Sequence, residues 1–405
     1  MAFEQSFPSE GLTTVDVELR RGDVSIEESS TDDVGLVAEF SSGAVDVDLR
    51  IDQIGDTLRI VHAPADVDRD RGGLSFLNDL GLGQLAGQIG RIDVHLRIPA
   101  KIRRVGVRTG LGSVQIAPTV DEVKIRTGKG DVGLAAGGGQ VELASGMGSI
   151  RVGRVTRSCS IQTGMGEVSL GGGEGTARLH TGKGSVHIVD ANLHLEANTG
   201  WGDVQLERVS GEANIRTGFG RLTVDDARDL AVEAHTGNGE LRLSGAFRSI
   251  RAKSGFGAIL CYAQQPGNSV DLNTGNGDID VAFGAEGAAR IDAATGRGRI
   301  ESQVPLVQVG QSGPEGFFSR RVVGTAGSGE IRSTIRVRSG NGNVRLRYLP
   351  GQAAPAAAEA SSAEPAPTPA GDAASEPTRS RLEILQCLQR GEIGVEEAER
   401  LLTRS

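Results

Sequence analysis

"RTGKGDV", residues 126–132, carries two glycines, a lysine and an acid between strand-like residues. A phosphate-binding loop of this kind leads into a helix, whose N-terminus holds the anion. Here strand-like residues follow. The same loop stands at 108–114 (RTGLGSV), 162–168 (QTGMGEV), 180–186 (HTGKGSV) and 216–222 (RTGFGRL). From Gly110 to Gly218 the first glycine recurs every 18 residues: Gly110, Gly128, Gly146, Gly164, Gly182, Gly200, Gly218. The beat continues more loosely at Gly237, Gly255, Gly275 and Gly296, then at Gly327 and Gly340. A near-constant step over so many copies is the mark of a repeat architecture.

Within each repeat apolar and polar residues alternate. VKIRT (123–127) leads into the bend, and Val132 and Leu134 share a face after it. Val114/Ile116, Ile150/Val152, Val168/Leu170, Val186/Ile188 and Val204/Leu206 fill the same slots. Period two specifies strands. Each repeat therefore supplies two short strands joined at the glycines, then a looser corner such as AAGGGQ (135–140). One such hairpin is marginal alone, whereas stacked repeats bury one continuous face. The sequence predicts an all-β fold: a parallel β-solenoid of 18-residue coils, right-handed because parallel crossovers have that hand.

The glycines are read as geometric, permitting positive φ at a tight bend. Thr or Ser precedes the first glycine in every copy except the one with Ala326. That hydroxyl column is expected to point inward and to bond the turn backbone and its own neighbours. Two residues past the x of TGxG runs the column Ser113, Asp131, Ser149, Glu167, Ser185, Asp203, Arg221, Glu240. Its broken acidity does not follow the calcium nonapeptide, so it is read as spacing of like charges. Glycoside cleavage needs two carboxyls flanking a cleft. Asp131, Glu167 and Asp203 are separated by Ser on an even ridge with no long loops beside it. His180 and His235 share a column three coils apart, and His187 lies on another. Cys159 and Cys261 occupy inward slots as small core residues. No catalytic residue, cofactor site, metal site or small-molecule substrate is identified, and the expectation is a protein that is not an enzyme.

The x of TGxG is Lys at 129 and 183 and Arg at 297, so that column faces outward. It also holds Leu111, Met147, Met165, Trp201, Phe219, Asn238, Phe256 and Asn276, including every methionine but the first and the lone tryptophan. Leu111, Met147, Met165, Trp201, Phe219 and Phe256 form a candidate interaction ladder.

Residues 1–105 read as irregular strands capping the solenoid, in which GDVSI (22–26) already echoes the repeat. The regular array occupies 106–350, with an insertion at about 303–321. Residues 351–378 form an Ala/Pro-rich disordered linker. Residues 379–405 show helical spacing, with a candidate docking face of Leu382, Leu385, Leu388, Ala398 and Leu401. Such a helical pair is too small to bury much by itself.

The chain has 405 residues, 60 of them glycine, a net charge of −9 and 3% aromatics. The acidic balance argues against a nucleic-acid partner. The three cysteines (Cys159, Cys261, Cys387) make neither a disulfide framework nor a metal motif. MAFEQSFPSEG is not a signal peptide, and no apolar run is long enough for a membrane span. A cytoplasmic location is expected.

The strand-rich start, the TGxG array and the late GTAGSGEIRSTIRVRSGNGNVRL (324–346) resemble the bacterial "putative adhesin" family of β-strand-repeat domains. The tail RLEILQCLQRGEIGVEEAERLL (381–402) resembles the SHOCT-like helical module, with Gly394 where that module carries Ser or Thr. The resemblance implies a right-handed solenoid without an assigned reaction, and in some relatives a link to envelope stress. Together these features point to a non-enzymatic scaffold that engages a protein partner or a second copy of itself. The alternatives are a carbohydrate-active β-helix enzyme and an end-to-end, cytoskeletal-type filament.

Overall fold

A computed structural model describes residues 2–41, 47–64, 90–265, 267, 269–284, 288–308, 320–327 and 330–349. These lie in the first unit of the chain, Met1–Ala357; the second, Ala358–Ser405, falls outside the described residues. So do the expected linker and the helical face of Leu382, Leu385, Leu388, Ala398 and Leu401. Among the described residues there is no helix, hence none long and apolar enough to cross a membrane. Their strands join into one sheet that winds as a parallel solenoid.

The 18-residue beat is one lap of the coil. Val105 faces Val123, then Val141, Cys159, Ala177, Leu195, Ala213 and Val232, all in parallel register. The second column beyond the bend runs Val114, Val132, Ile150, Val168, Val186, Val204, Leu222 and Leu241. Every one of these side chains is buried. Cys159, in the first column, and Cys261 are both buried, as expected of small core residues. The looser corner is not uniform. Val132–Met147 runs as one strand straight through AAGGGQ, whereas Arg208, which opens the corner RVSGEA (208–213), turns with φ 53°.

The array does not run in sequence order at its ends. The coil of Ser269–Asn276 is followed in space by Ile331–Asn341, and only then by Ala288–Thr295. The last repeat is thus inserted between two earlier ones. Charge explains the order. Sequential stacking would set Asp271 opposite Asp292 and Asp280 opposite Glu301, an unfavourable pairing of like charges. With the insertion, Arg336 stands between Asp271 and Asp292, and Arg345 between Asp280 and Glu301. Arg347 also donates to Asp280 at 2.8 Å. The copy at Gly327 is not a coil at all. Arg320–Ala326 pairs antiparallel with Ala288–Thr295, which places Ala326 opposite Ala289 and accounts for its missing hydroxyl.

The other end repeats the device. Thr14–Arg21 and Val24–Glu28 lie directly on Arg104–Leu111 and Val114–Ile116. Thr57–Pro64 and Ile92–Ile98 add in parallel on their far side. Antiparallel strands then close the stack: Asp33–Phe40 on Ile92–Ile98, Ala2–Pro8 on Asp33–Phe40, and Val47–Ile54 on Thr57–Pro64. Antiparallel neighbours break the parallel beat, so the next coil has no matching template.

Candidate functional site

The bend divides its labour between two glycines. At Gly200 a Cβ would lie 2.7 Å from the Gly182 carbonyl oxygen, so the first glycine is required by close coil-to-coil approach. Gly202 has φ +151°, and a Cβ there would lie 2.1 Å from the Gly184 oxygen. Only glycine adopts that backbone readily, so the second position is constrained twice.

The hydroxyl before the bend points inward as expected, but it does not bond its neighbouring hydroxyl. Each donates instead to the second glycine's carbonyl one coil back. Thr127 bonds Gly112 at 3.0 Å, Ser145 bonds Gly130 at 3.1 Å, and Thr199 bonds Gly184 at 3.2 Å. At the inserted coil Ser339 bonds Gly277 at 2.9 Å, and Thr295 bonds Gly342 at 2.7 Å. The hydroxyl spacing is one coil, about 4.8 Å, too long for a direct bond between neighbours.

The aspartates beyond the bend are not merely spaced charges. Asp131 Oδ1 accepts from the Ser149 N–H at 2.8 Å, Asp203 from Arg221 at 2.7 Å, and Asp278 from Asn343 at 2.7 Å. They cap amide groups that the bend turns out of the ladder. Among the described residues, His, Cys, Asp and Glu nowhere gather in threes as a metal site would require. Burial pushes the Cys159 and Cys261 thiols up to about 12, leaving both as inert thiols. An open cavity of about 420 Å³ lies over Ala231, Ser249 and Ser269. Two pairs lie on its rim, His194 with Glu212 at 3.1 Å and Arg251 with Glu233 at 3.8 Å.

The outer edge is the distinctive surface. Leu111, Lys129, Met147, Met165, Lys183, Trp201, Phe219, Asn238, Phe256 and Asn276 face one another in unbroken register. Asn341 comes next, so Arg297 follows it and not Asn276. The six apolar members are 42–58% exposed. Trp201 and Phe219 stack with ring centroids 4.4 Å apart and planes 24° from parallel. They cover one another in part and still face outward. Eight coil steps separate Leu111 from Phe256, so the edge is about 38 Å long.

The family profile described as Toastrack DUF4097 matches residues 93–244 and, a second time, 191–346. The chain belongs to the Toastrack family. The two overlapping matches are what an array of equivalent coils produces, since a profile can be laid on it in more than one register. Similar solved structures include one titled a putative cell adhesion protein from Clostridium sporogenes, at 11% identity over 86% of this chain and 99% of that one, TM-score 0.18. Another is a "putative lipid binding protein" from Parabacteroides distasonis, at 15% identity over 85% and 96%, TM-score 0.24. A third is a "putative adhesin" from Bacteroides fragilis, at 12% identity over 85% and 97%, TM-score 0.19. No curated protein matches the chain.

One column of this Toastrack chain escaped the sequence reading. Two residues before the first glycine, Arg108, Arg126, Ala144, Gln162, His180, Asn198, Arg216, His235, Lys253 and Asn273 stand in register. No acid interrupts it. The signal is present in the sequence: aligned on the first glycine, the repeats show this position free of Asp and Glu from Arg108 to Asn273.

Proposed function

We propose that this Toastrack solenoid is a non-catalytic binding scaffold that docks a partner surface along its glycine-bend edge. The supporting observation is the register-locked line of Leu111, Met147, Met165, Trp201, Phe219 and Phe256, outward-facing beside a fully buried interior. Apolar side chains of this size concentrate at contact surfaces. The carboxylates that a carbohydrate-cleaving reading would recruit, Asp131 and Asp203, already accept backbone amides. In this reading the solenoid is right-handed, the chain works in the cytoplasm, and the tail around Leu382 and Leu401 forms a helical module that recruits or oligomerises through its linker.

Oxidative footprinting of the full chain tests the edge without presuming the occupant. Protection of Met147, Met165 and Trp201 in extract of the expressing cells, relative to buffer, supports the reading. Equal labelling in both overturns it.

A further inference from the structure

The two columns flanking the bend carry a charge pattern that packing alone does not produce. One step further from the edge, charges alternate along the coils and pair. Lys124 meets Glu142 at 2.9 Å, Arg178 meets Glu196 at 3.7 Å and Arg251 meets Glu233 at 3.8 Å. That is how a ladder avoids like-charge repulsion. At the edge the rule lapses. Arg108, Arg126, Arg216 and Lys253 in one column, with Lys129 and Lys183 in the next, are all exposed. From the coil of Arg108 to that of Phe256 neither column holds an acid, in a chain with 52 Asp and Glu and a net charge of −9. Three residue steps separate the columns, so the cations lie within about 10 Å of the apolar line, near one Debye length.

Resting on the docking reading above, we infer that the occupant of this edge is the surface of an anionic lipid bilayer. Bulky apolar side chains flanked by Lys and Arg suit an interface where an acyl boundary meets anionic headgroups. The ladder sits where the coil turns, so the edge is convex and encloses nothing; a fluid bilayer conforms to such a ridge. A second copy docked edge to edge with its array antiparallel would set cationic column against cationic column. A single-stranded nucleic acid would need gaps between aromatic rings for its bases, and Trp201 and Phe219 close that gap by stacking on each other at 4.4 Å. The far flank carries Asp131 and Asp203, whose Oδ1 atoms are held by backbone amides. The ridge therefore has a basic and an acidic side, and the bound solenoid tilts toward the basic one.

Trp201 is the only tryptophan of the chain, so it reports on its own insertion. The full chain is titrated with phosphatidylcholine vesicles, with and without phosphatidylglycerol, and with single-stranded DNA. The expected result is a blue shift of Trp201 emission and cosedimentation with the phosphatidylglycerol vesicles only, weakening as salt rises. The triple variant Arg126→Gln, Arg216→Gln, Lys253→Gln, with unchanged circular dichroism, should lower partitioning by about 100-fold, at about fivefold per basic residue. Three outcomes overturn the inference: no binding to anionic vesicles, equal binding to neutral ones, or a Trp201 response to DNA instead. If vesicles fail while footprinting still protects Met147, Met165 and Trp201, the docking reading survives and only the bilayer is rejected.

Discussion

Thr199 Oγ1 donates to the carbonyl oxygen of Gly184 at 3.2 Å, from one coil to the bend of the coil before it. The bond joins a buried hydroxyl to a glycine whose own backbone only glycine can adopt. Replacing Thr199 by Val keeps the shape and removes the donor. The expected cost is about 1 kcal/mol, with Thr199→Ser smaller, read from denaturant unfolding.

The two glycines of a bend should differ in sensitivity. Gly202→Ala meets both a positive φ and a carbonyl oxygen 2.1 Å away, and is expected to cost about 3 kcal/mol or more. Gly200→Ala meets only the approach at 2.7 Å. Thermal unfolding of the two variants should rank them in that order, and the reverse order would contradict the division of labour.

Asp203→Ala removes the acceptor for the Arg221 amide. It should destabilise by about 1–3 kcal/mol, while Asp203→Asn, which keeps an oxygen there, should cost less. If Ala and Asn are equally harmful, the carboxylate charge matters more than the amide bond.

Stability should fall in two separate pH windows. His62 is buried, its Nδ1 has no hydrogen-bond partner among the described residues, and burial followed by the Arg20 charge holds it below the ordinary 6.5. Above 6.5 it is neutral in both states and contributes nothing to pH dependence. As pH drops below 6.5 the unfolded chain takes up this proton first, so stability declines until the folded imidazole also titrates. His62→Gln should flatten that upper slope in melting temperature. Asp292, held below the ordinary 3.8 by Arg321, behaves oppositely in origin: its contribution is present above 3.8 and is lost as pH falls through its folded value.

Cys159 and Cys261 should resist thiol reagents in the native chain and react after denaturation. Mass spectrometry of the labelled peptides separates them from Cys387.

Local periodicity carried the coil. The 18-residue step, the alternation around Val132 and Leu134, and the Thr–Gly pair at each bend are short-range patterns, and a stack of equivalent units is the one arrangement that buries them all. The outward column through Trp201 was legible for the same reason, because its register is the repeat itself. The basic column through Arg126 and Arg216 was equally present in the letters, but its meaning depends on a contrast with the paired charges beside it, which only registered strands display. The order of the ends was not legible. Whether Ile331–Asn341 follows or precedes Ala288–Thr295 depends on long-range neighbours: Arg336 and Arg345 stand in register between acids on both sides, and Arg345 pairs with Glu301 at 3.3 Å. Coils of one geometry are interchangeable to any local pattern, so charge across the ladder, acting between segments distant in sequence, selects their order.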